Sequence, residues 1–403
     1  MQVIDVKASG YAKQFDQDCQ ARNCAIISGY DPKIDKLTAV VNEMTGNFLR
    51  LPDDVLAKYK GGQRRTTYQI QQREVDSVPF YEVRKHLMVG DDLEDGNPLT
   101  EFRQHGERLT NIDIKEGEFK DLVPLTVELY REIEKVKIQL LKDVAVSMGL
   151  PSGYWAARYA WGDHAVRTLL YEPIGWELKE SGVPKTIHVY GTPIKGVKVH
   201  SGFHNGEHRT NMIRASPHKD IDTFAALLKA TQPGFVMQQR DGTLLRYTAQ
   251  EGSMLLNAGR IMEHETSYIN DEGEVDSKWR AGAHWVEIAN PLVERILTVM
   301  FGHFRESDPV IAMDRDPKVL ETFPDTVELL KLKQTLIERG GYFKDNAPEI
   351  LAKANRAVTA LPSRKVFRDL IKYEKEKGLV NMGKDRLLEF EDQEEELYEA
   401  WKA

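Results

Sequence analysis

Cysteine is nearly absent: Cys19 and Cys24 are the two in 403 residues. Two cysteines cannot build a disulfide framework, and neither has Cys or His neighbours at zinc spacing. They read as reduced thiols, so a cytoplasmic location is expected. Long apolar runs are also lacking. No stretch approaches eighteen apolar residues, so no membrane span is expected. The segment Met1-Gln-Val-Ile-Asp-Val-Lys7 has neither the basic nor the apolar part of a signal peptide. Positive charge is in deficit, with 55 Lys and Arg against 63 Asp and Glu, a formal charge of −8. This removes the electrostatic footprint of a nucleic-acid binder and offers an anionic membrane no polybasic block. Repeats and low-complexity tracts are missing as well. What remains, 41% hydrophobic and 29% charged, is the composition of a folded globular chain. Nothing here sets the oligomeric state.

The hydrophobic period changes along the chain. Cys24-Ala-Ile-Ile-Ser-Gly29 reads as a buried strand. Ile34, Leu37, Val41, Met44 and Phe48 recur at helical spacing, and Leu51-Pro-Asp-Asp starts a second short helix. Residues 61–118 are polar and turn-rich, with one strand expected near Thr66–Gln71. From Asp121 to Met148 an apolar stripe (Leu125, Leu129, Ile133, Val136, Leu140, Val144) predicts a long helix closed by Gly149. Between 154 and 304 the texture is β, with eight short runs: His164–Tyr171, Thr186–Tyr190, Thr223–Ala230, Gly234–Arg240, Leu244–Thr248, Ser253–Ala258, His284–Ile288 and Arg295–Phe304. Turn signals between them predict a sandwich or barrel. Residues 176–214 contain His200, His204 and His208 and read as a long polar loop over the open end. Beyond Asp308-Pro309, helices are expected at 326–339, 364–377 and 384–401.

The chemical signal is Pro217-His218-Lys-Asp220. On an extended chain, positions i and i+2 face one side, so His218 and Asp220 can share a metal. His284 opens a later strand and supplies a second imidazole. Two histidines and one carboxylate leave adjacent coordination positions free, the arrangement of non-haem Fe(II) oxygenases. The same set also suits zinc and a hydrolase. His264 lies between the ligands and reads as a packed residue on or near a strand.

In its wider order the sequence resembles the isopenicillin N synthase-like family of Fe(II)/2-oxoglutarate dioxygenases. The resemblance runs through His218-Lys-Asp220 with its following apolar run, Pro233-Gly234-Phe, Asp241-Gly242-Thr, Asn257-Ala-Gly259 and His284-Trp-Val. Upstream, Tyr171-Glu-Pro173 resembles the family's Tyr-Pro with one residue inserted. The match covers roughly residues 20–305. It implies a double-stranded β-helix (jelly-roll) core with helical flanks, Fe(II) on His218, Asp220 and His284, and O₂ and 2-oxoglutarate as cosubstrates. Arg295 corresponds to the arginine of an Arg-x-Ser pair that holds the far carboxylate of 2-oxoglutarate. Here Leu297 replaces the serine, and Thr298 would face the other way on a strand. Tyr171 matches a tyrosine that adds a second hydrogen bond to the cosubstrate.

The resemblance divides the chain into an N-terminal α/β region (1–120), a supporting helix (121–153), a catalytic core (154–305) and a helical C-terminal extension (306–403). It implies hydroxylation, desaturation or ring closure of a small natural-product-type metabolite. Arg73, with Gln63-Arg-Arg65 nearby, lies where the family's substrate pocket gathers residues and would suit a carboxylate. Two other readings stay open. One is a 2-oxoglutarate-independent Fe(II) oxidase in which Arg295 binds the substrate, and the other is a non-catalytic jelly-roll binding protein.

Overall fold

The computed structural model describes residues 2–59, 67–90, 111–160, 162, 164–175, 178–204, 206–304, 312 and 314. The expected C-terminal helices and Gln63-Arg-Arg65 lie outside them. The chain opens with β1 (Val3–Asp5), α1 (Tyr11–Arg22), β2 (Cys24–Ser28), α2 (Lys33–Leu49) and α3 (Asp53–Leu56). A hairpin of β3 (Thr67–Val75) and β4 (Val78–Val89) precedes α4 (Leu122–Ser147) and α5 (Gly153–Tyr159). Next come β5 (Ala165–Tyr171), β6 (Lys179–Gly182), β7 (Ile187–Val189), β8 (Thr192–Ile194), β9 (Lys198–His204) and β10 (Glu207–Ile213). They are followed by β11 (Ala215–His218), β12 (Phe224–Ala230), β13 (Phe235–Gln238), β14 (Leu244–Tyr247) and β15 (Ser253–Ala258). The described chain closes with α6 (Arg260–Glu265), β16 (Ser267–Ile269), β17 (Val275–Ser277), β18 (His284–Val286) and β19 (Arg295–Phe301).

The strands form a major sheet of eleven, ordered β1-β2-β15-β12-β19-β5-β4-β10-β9-β6, with β3 added on β4. A minor sheet follows the order β11-β18-β13-β14. Their facing sides meet in an apolar layer that includes Leu169, Leu227, Phe235, Leu255, Leu297 and Val299. The protein is thus mainly β, with the two facing sheets of a jelly-roll core. Helices cover the outer face of the major sheet, where Phe15, Val41, Leu129 and Ile133 pack against Phe224 and Met254. Because both faces of β2 are covered, Cys24 to Ile27 form a continuous buried run rather than an alternating one. Both cysteines are buried and free. Burial pushes their thiols up, Cys24 to about 12, so neither is a reactive thiolate.

Helix α4 is tied to the sheet by an unusual residue. Lys137 is buried, and its Nζ donates to the carbonyls of Phe224 (2.6 Å) and Met300 (3.1 Å) on β12 and β19. Burial pulls its ammonium down to about 8, against the raising influence of Asp222 and Asp220.

Three expectations need correction. Residues 176–214 are not a polar loop: β6, β9 and β10 extend the major sheet, and β7 pairs with β8. Few residues of β9 and β10 are buried apolar ones (Val199, Met212 and Ile213), while His200 is buried and Phe203 exposed, so no clean apolar alternation marks the strands. Residues 67–89 form a full hairpin, not one short strand, and its turn is closed by Asp76 and Ser77, both at positive φ. Helix α1 was not anticipated, since few of its residues are apolar: Ala12, Phe15 and Cys19 carry its buried face.

Candidate metal centre and cavity

Strand β11 ends at His218 and β18 begins at His284, and the two residues are register partners on antiparallel neighbours. Asp220 follows two positions after His218. One ligand atom from each of the three lies within 4.8 Å of the others. His218 Nε2 stands 3.7 Å from Asp220 Oδ1, and His284 Nε2 stands 3.4 Å from Asp220 Oδ2. Lys219, the residue between, points elsewhere and pairs with Glu263 at 3.2 Å. Among the described residues, no other group of His, Cys, Asp or Glu is arranged to hold a metal.

Each imidazole is held in one tautomer by a backbone carbonyl two residues earlier. His218 Nδ1 lies 2.7 Å from the Ser216 oxygen, and His284 Nδ1 lies 3.0 Å from the Gly282 oxygen. Proton donation there leaves both Nε2 lone pairs facing the gap, as metal-binding histidines require. Burial first, and His284 second, push His218 far below the usual imidazole range, so its ring is neutral. Burial also raises the Asp220 carboxyl, but the two imidazoles, Asn257 and Arg167 outweigh it and hold it low.

The carboxylate has its own support. Asn257 Nδ2 on β15 donates to Asp220 Oδ2 at 2.9 Å. Two residues on, Gly259 meets the turn after Asp220 so closely that a Cβ there would sit 2.1 Å from the Asp222 carbonyl oxygen. The Asn257-Ala-Gly259 motif therefore has two tasks, holding the ligand and letting its turn approach. Glu82 on β4 was not anticipated. It is fully buried, accepts from the Ser216 N–H at 2.6 Å and from the Ser216 hydroxyl, and pairs with Arg84 at 3.1 Å.

The triad faces a cavity that opens to solvent. Its apolar wall includes Leu227, Phe235, Val286, Leu297 and Val299. Tyr171, Arg84 and Arg167 add polar groups from the major sheet. Arg295 pairs in register with Tyr171 and is buried, with its Cζ 5.4 Å from the Tyr171 ring. Its Nε donates to the Gln232 carbonyl at 3.0 Å, while Nη1 is buried without a partner. Arg295 itself does not line the cavity, whereas its neighbours Tyr171 and Leu297 do. Thr298 does face away: its hydroxyl bonds Asn42 (2.7 Å) and Thr168 (2.8 Å) on the helix side.

Arg73, on β3, is half-buried, and its charge helps to depress His218. His264 is not on a strand; it is buried in α6. His200 and His204 lie on β9 and His208 on β10, away from the triad.

No protein-family model matches the chain, and no curated protein matches it in sequence. Solved structures do. A Caulobacter crescentus protein attributed to the 2OG-Fe(II) oxygenase family is 19% identical with a TM-score of 0.58, covering 84% of this chain and 99% of that one. A full-length Neurospora crassa protein, solved in complex with alpha-KG, is 14% identical with a TM-score of 0.56, covering 77% and 87%. JOX2, solved with 2OG, Fe and JA, is 13% identical with a TM-score of 0.51, covering 77% of each chain. The chain has the fold of the 2OG-Fe(II) oxygenases, in agreement with the resemblance carried by its motifs. Among the described residues, no helix is long and apolar enough to cross a membrane.

Proposed function

We propose that the protein is a non-haem Fe(II)- and 2-oxoglutarate-dependent dioxygenase acting on a small molecule. One observation carries the reading: His218, Asp220 and His284 converge at an open cavity with both imidazoles oriented by backbone carbonyls. Two imidazoles and one carboxylate leave a face free for exogenous ligands, which a closed structural zinc site lacks. Support for 2-oxoglutarate comes from Arg295, whose Nη1 is a buried donor awaiting an acceptor. An orphaned donor is costly unless a ligand fills it. Tyr171, on the shared face of β5 and β19, is the second candidate contact.

When bound, Fe(II) and 2-oxoglutarate supply O₂ activation coupled to release of succinate and CO₂. The chain's own residues do the rest. Ser216 and Gly282 fix the imidazole tautomers, Asn257 fixes the carboxylate, and Arg295 anchors the far end of the cosubstrate. Leu227, Phe235, Val286 and Val299 keep bulk water from the reacting face. Residues 154–305 are proposed as the catalytic core. The substrate is a small metabolite; the fold alone does not name it.

Anaerobic addition of Fe(II) and then 2-oxoglutarate tests the reading. A weak visible charge-transfer band should form in the wild type and be lost in His218→Ala. Metal binding without the band, together with O₂ uptake without succinate, would instead assign the 2-oxoglutarate-independent oxidase. That second reading draws on Leu297 and on the position of Arg295 outside the cavity wall.

A further inference from the structure

Two arginines project from the major sheet into the cavity opposite the metal ligands. Arg167 on β5 and Arg84 on β4 both line it. Arg84 is paired with Glu82 at 3.1 Å, and its Nε is buried with no partner. Arg167 makes no ion pair or hydrogen bond among the described residues, although the Asp220 charge acts on it from across the cavity. Its Nε is buried and unpartnered, and its Cζ stacks 4.9 Å from the Phe301 ring centroid. Burial first and Arg84 second push its guanidinium down to about 10, against the raising influence of Asp220 and Tyr171. Arg167 as a whole is partly exposed and lines the cavity.

Charge bookkeeping then singles out Arg167. Fe(II), Asp220, doubly charged 2-oxoglutarate and Arg295 together are neutral. Glu82 neutralises Arg84. One cation is left over in a poorly solvated cavity, where an uncompensated charge is expensive. Arg73, also without an ion-pair partner among the described residues, adds positive potential at His218. Phe301 braces the Arg167 plane, which leaves its N–H edges for a planar acceptor.

We propose that Arg167, assisted by Arg84, binds the carboxylate of a monoanionic substrate in this cavity. The inference rests on the Fe(II)/2-oxoglutarate reading for the occupancy of the remaining charges. A single leftover charge fits a carboxylate better than a phosphate ester, which carries about −1.5 to −2 near neutral pH.

The test uses thermal unfolding of the full chain, anaerobic, with Fe(II) and saturating 2-oxoglutarate. Acetate, benzoate and phenylacetate are titrated in, each beside its amide. At least one acid should raise the midpoint saturably while its amide does not. Arg167→Met should weaken that acid by about ten- to a hundredfold, the range for a charge-assisted contact. Arg167→Lys should recover part of the effect, and Arg84→Met should weaken it less. The affinity of the Fe(II)-loaded Arg167→Met protein for 2-oxoglutarate should equal that of the wild type. Amides acting as well as acids, no response to any acid, or an acid response that survives Arg167→Met would overturn the proposal. So would a loss of 2-oxoglutarate affinity in Arg167→Met, which would give Arg167 to the cosubstrate. If wild type discriminates acid from amide through Arg167 but ignores 2-oxoglutarate, the anion site stands and the cosubstrate reading falls.

Discussion

Glu82 accepts two hydrogen bonds from Ser216, one from its backbone N–H at 2.6 Å and one from its hydroxyl. Ser216 in turn offers its carbonyl to His218 Nδ1 at 2.7 Å. A carboxylate on the major sheet therefore sets the orientation of a metal ligand on the minor sheet. Partners at this remove typically contribute about 10- to 100-fold to metal affinity. Glu82→Gln should weaken Fe(II) or Co(II) binding by about tenfold in an anaerobic titration. Ser216→Ala, which keeps the backbone N–H, should cost less. Equal affinity in Glu82→Gln and wild type would reduce Glu82 to a packing role.

Metal should also stabilise the fold. A ligand at a hundred times its Kd adds about 2.7 kcal/mol if the unfolded chain does not bind it. Fe(II) or Co(II) should raise the unfolding midpoint of the wild type, and a chelator should reverse this. Neither should move His284→Ala. A midpoint indifferent to metal in the wild type would remove the centre from the structure's energetics.

Acid should destabilise the protein through histidines other than the ligands. Burial, with Arg167 and Arg84, holds His86 well below its ordinary value, and burial lowers His200 and His204. The unfolded chain takes up these protons near pH 6.5 and the folded chain only at lower pH. Stability is thus full above pH 6.5 and falls as pH drops below it. The slope from His86 is at most about 1.4 kcal/mol per pH unit. Urea titrations at pH 7 and pH 5 should show the loss, and His86→Gln should reduce it.

A buried ion pair joins the two short helices beside the core. Arg158 on α5 meets Glu265 on α6 through two contacts, Nη1–Oε1 at 2.8 Å and Nη2–Oε2 at 2.7 Å. Both side chains are almost fully buried. Glu265→Ala should cost about 3–5 kcal/mol in urea unfolding, because it strands a buried guanidinium. Arg158→Met combined with Glu265→Leu should restore most of that loss. If the double variant is no more stable than Glu265→Ala, the stranded charge is not the cause.

All eight β runs read from 154–304 contain strands, because turn residues bracket each one and buried apolar runs are short there. The long helix α4 was equally plain from its apolar stripe. His218, Asp220 and His284 could be named because i, i+2 spacing and motif order are local signals. Glu82 carries no such signal, since its partner Ser216 meets it only when β4 and β11 come together. Arg167 did leave a trace. In Val166-Arg-Thr-Leu-Leu-Tyr171 it shares the inward face with Leu169 and Tyr171, where a charge needs a reason. The strands at 179–213 were hidden because their polar residues alternate with too few apolar ones to break the look of a loop.

The two candidate ligand histidines sit on short strands: β11 has four residues and β18 three. β11 is also an edge of the minor sheet, carries Pro217, and has an irregular register with its neighbour. So short a pairing has few ladder bonds to hold it. An ion shared by His218 and His284 would act as a rivet between these strands. Metal supply would then govern how long these two strands stay paired, and so how long this wall of the cavity stays closed to proteases.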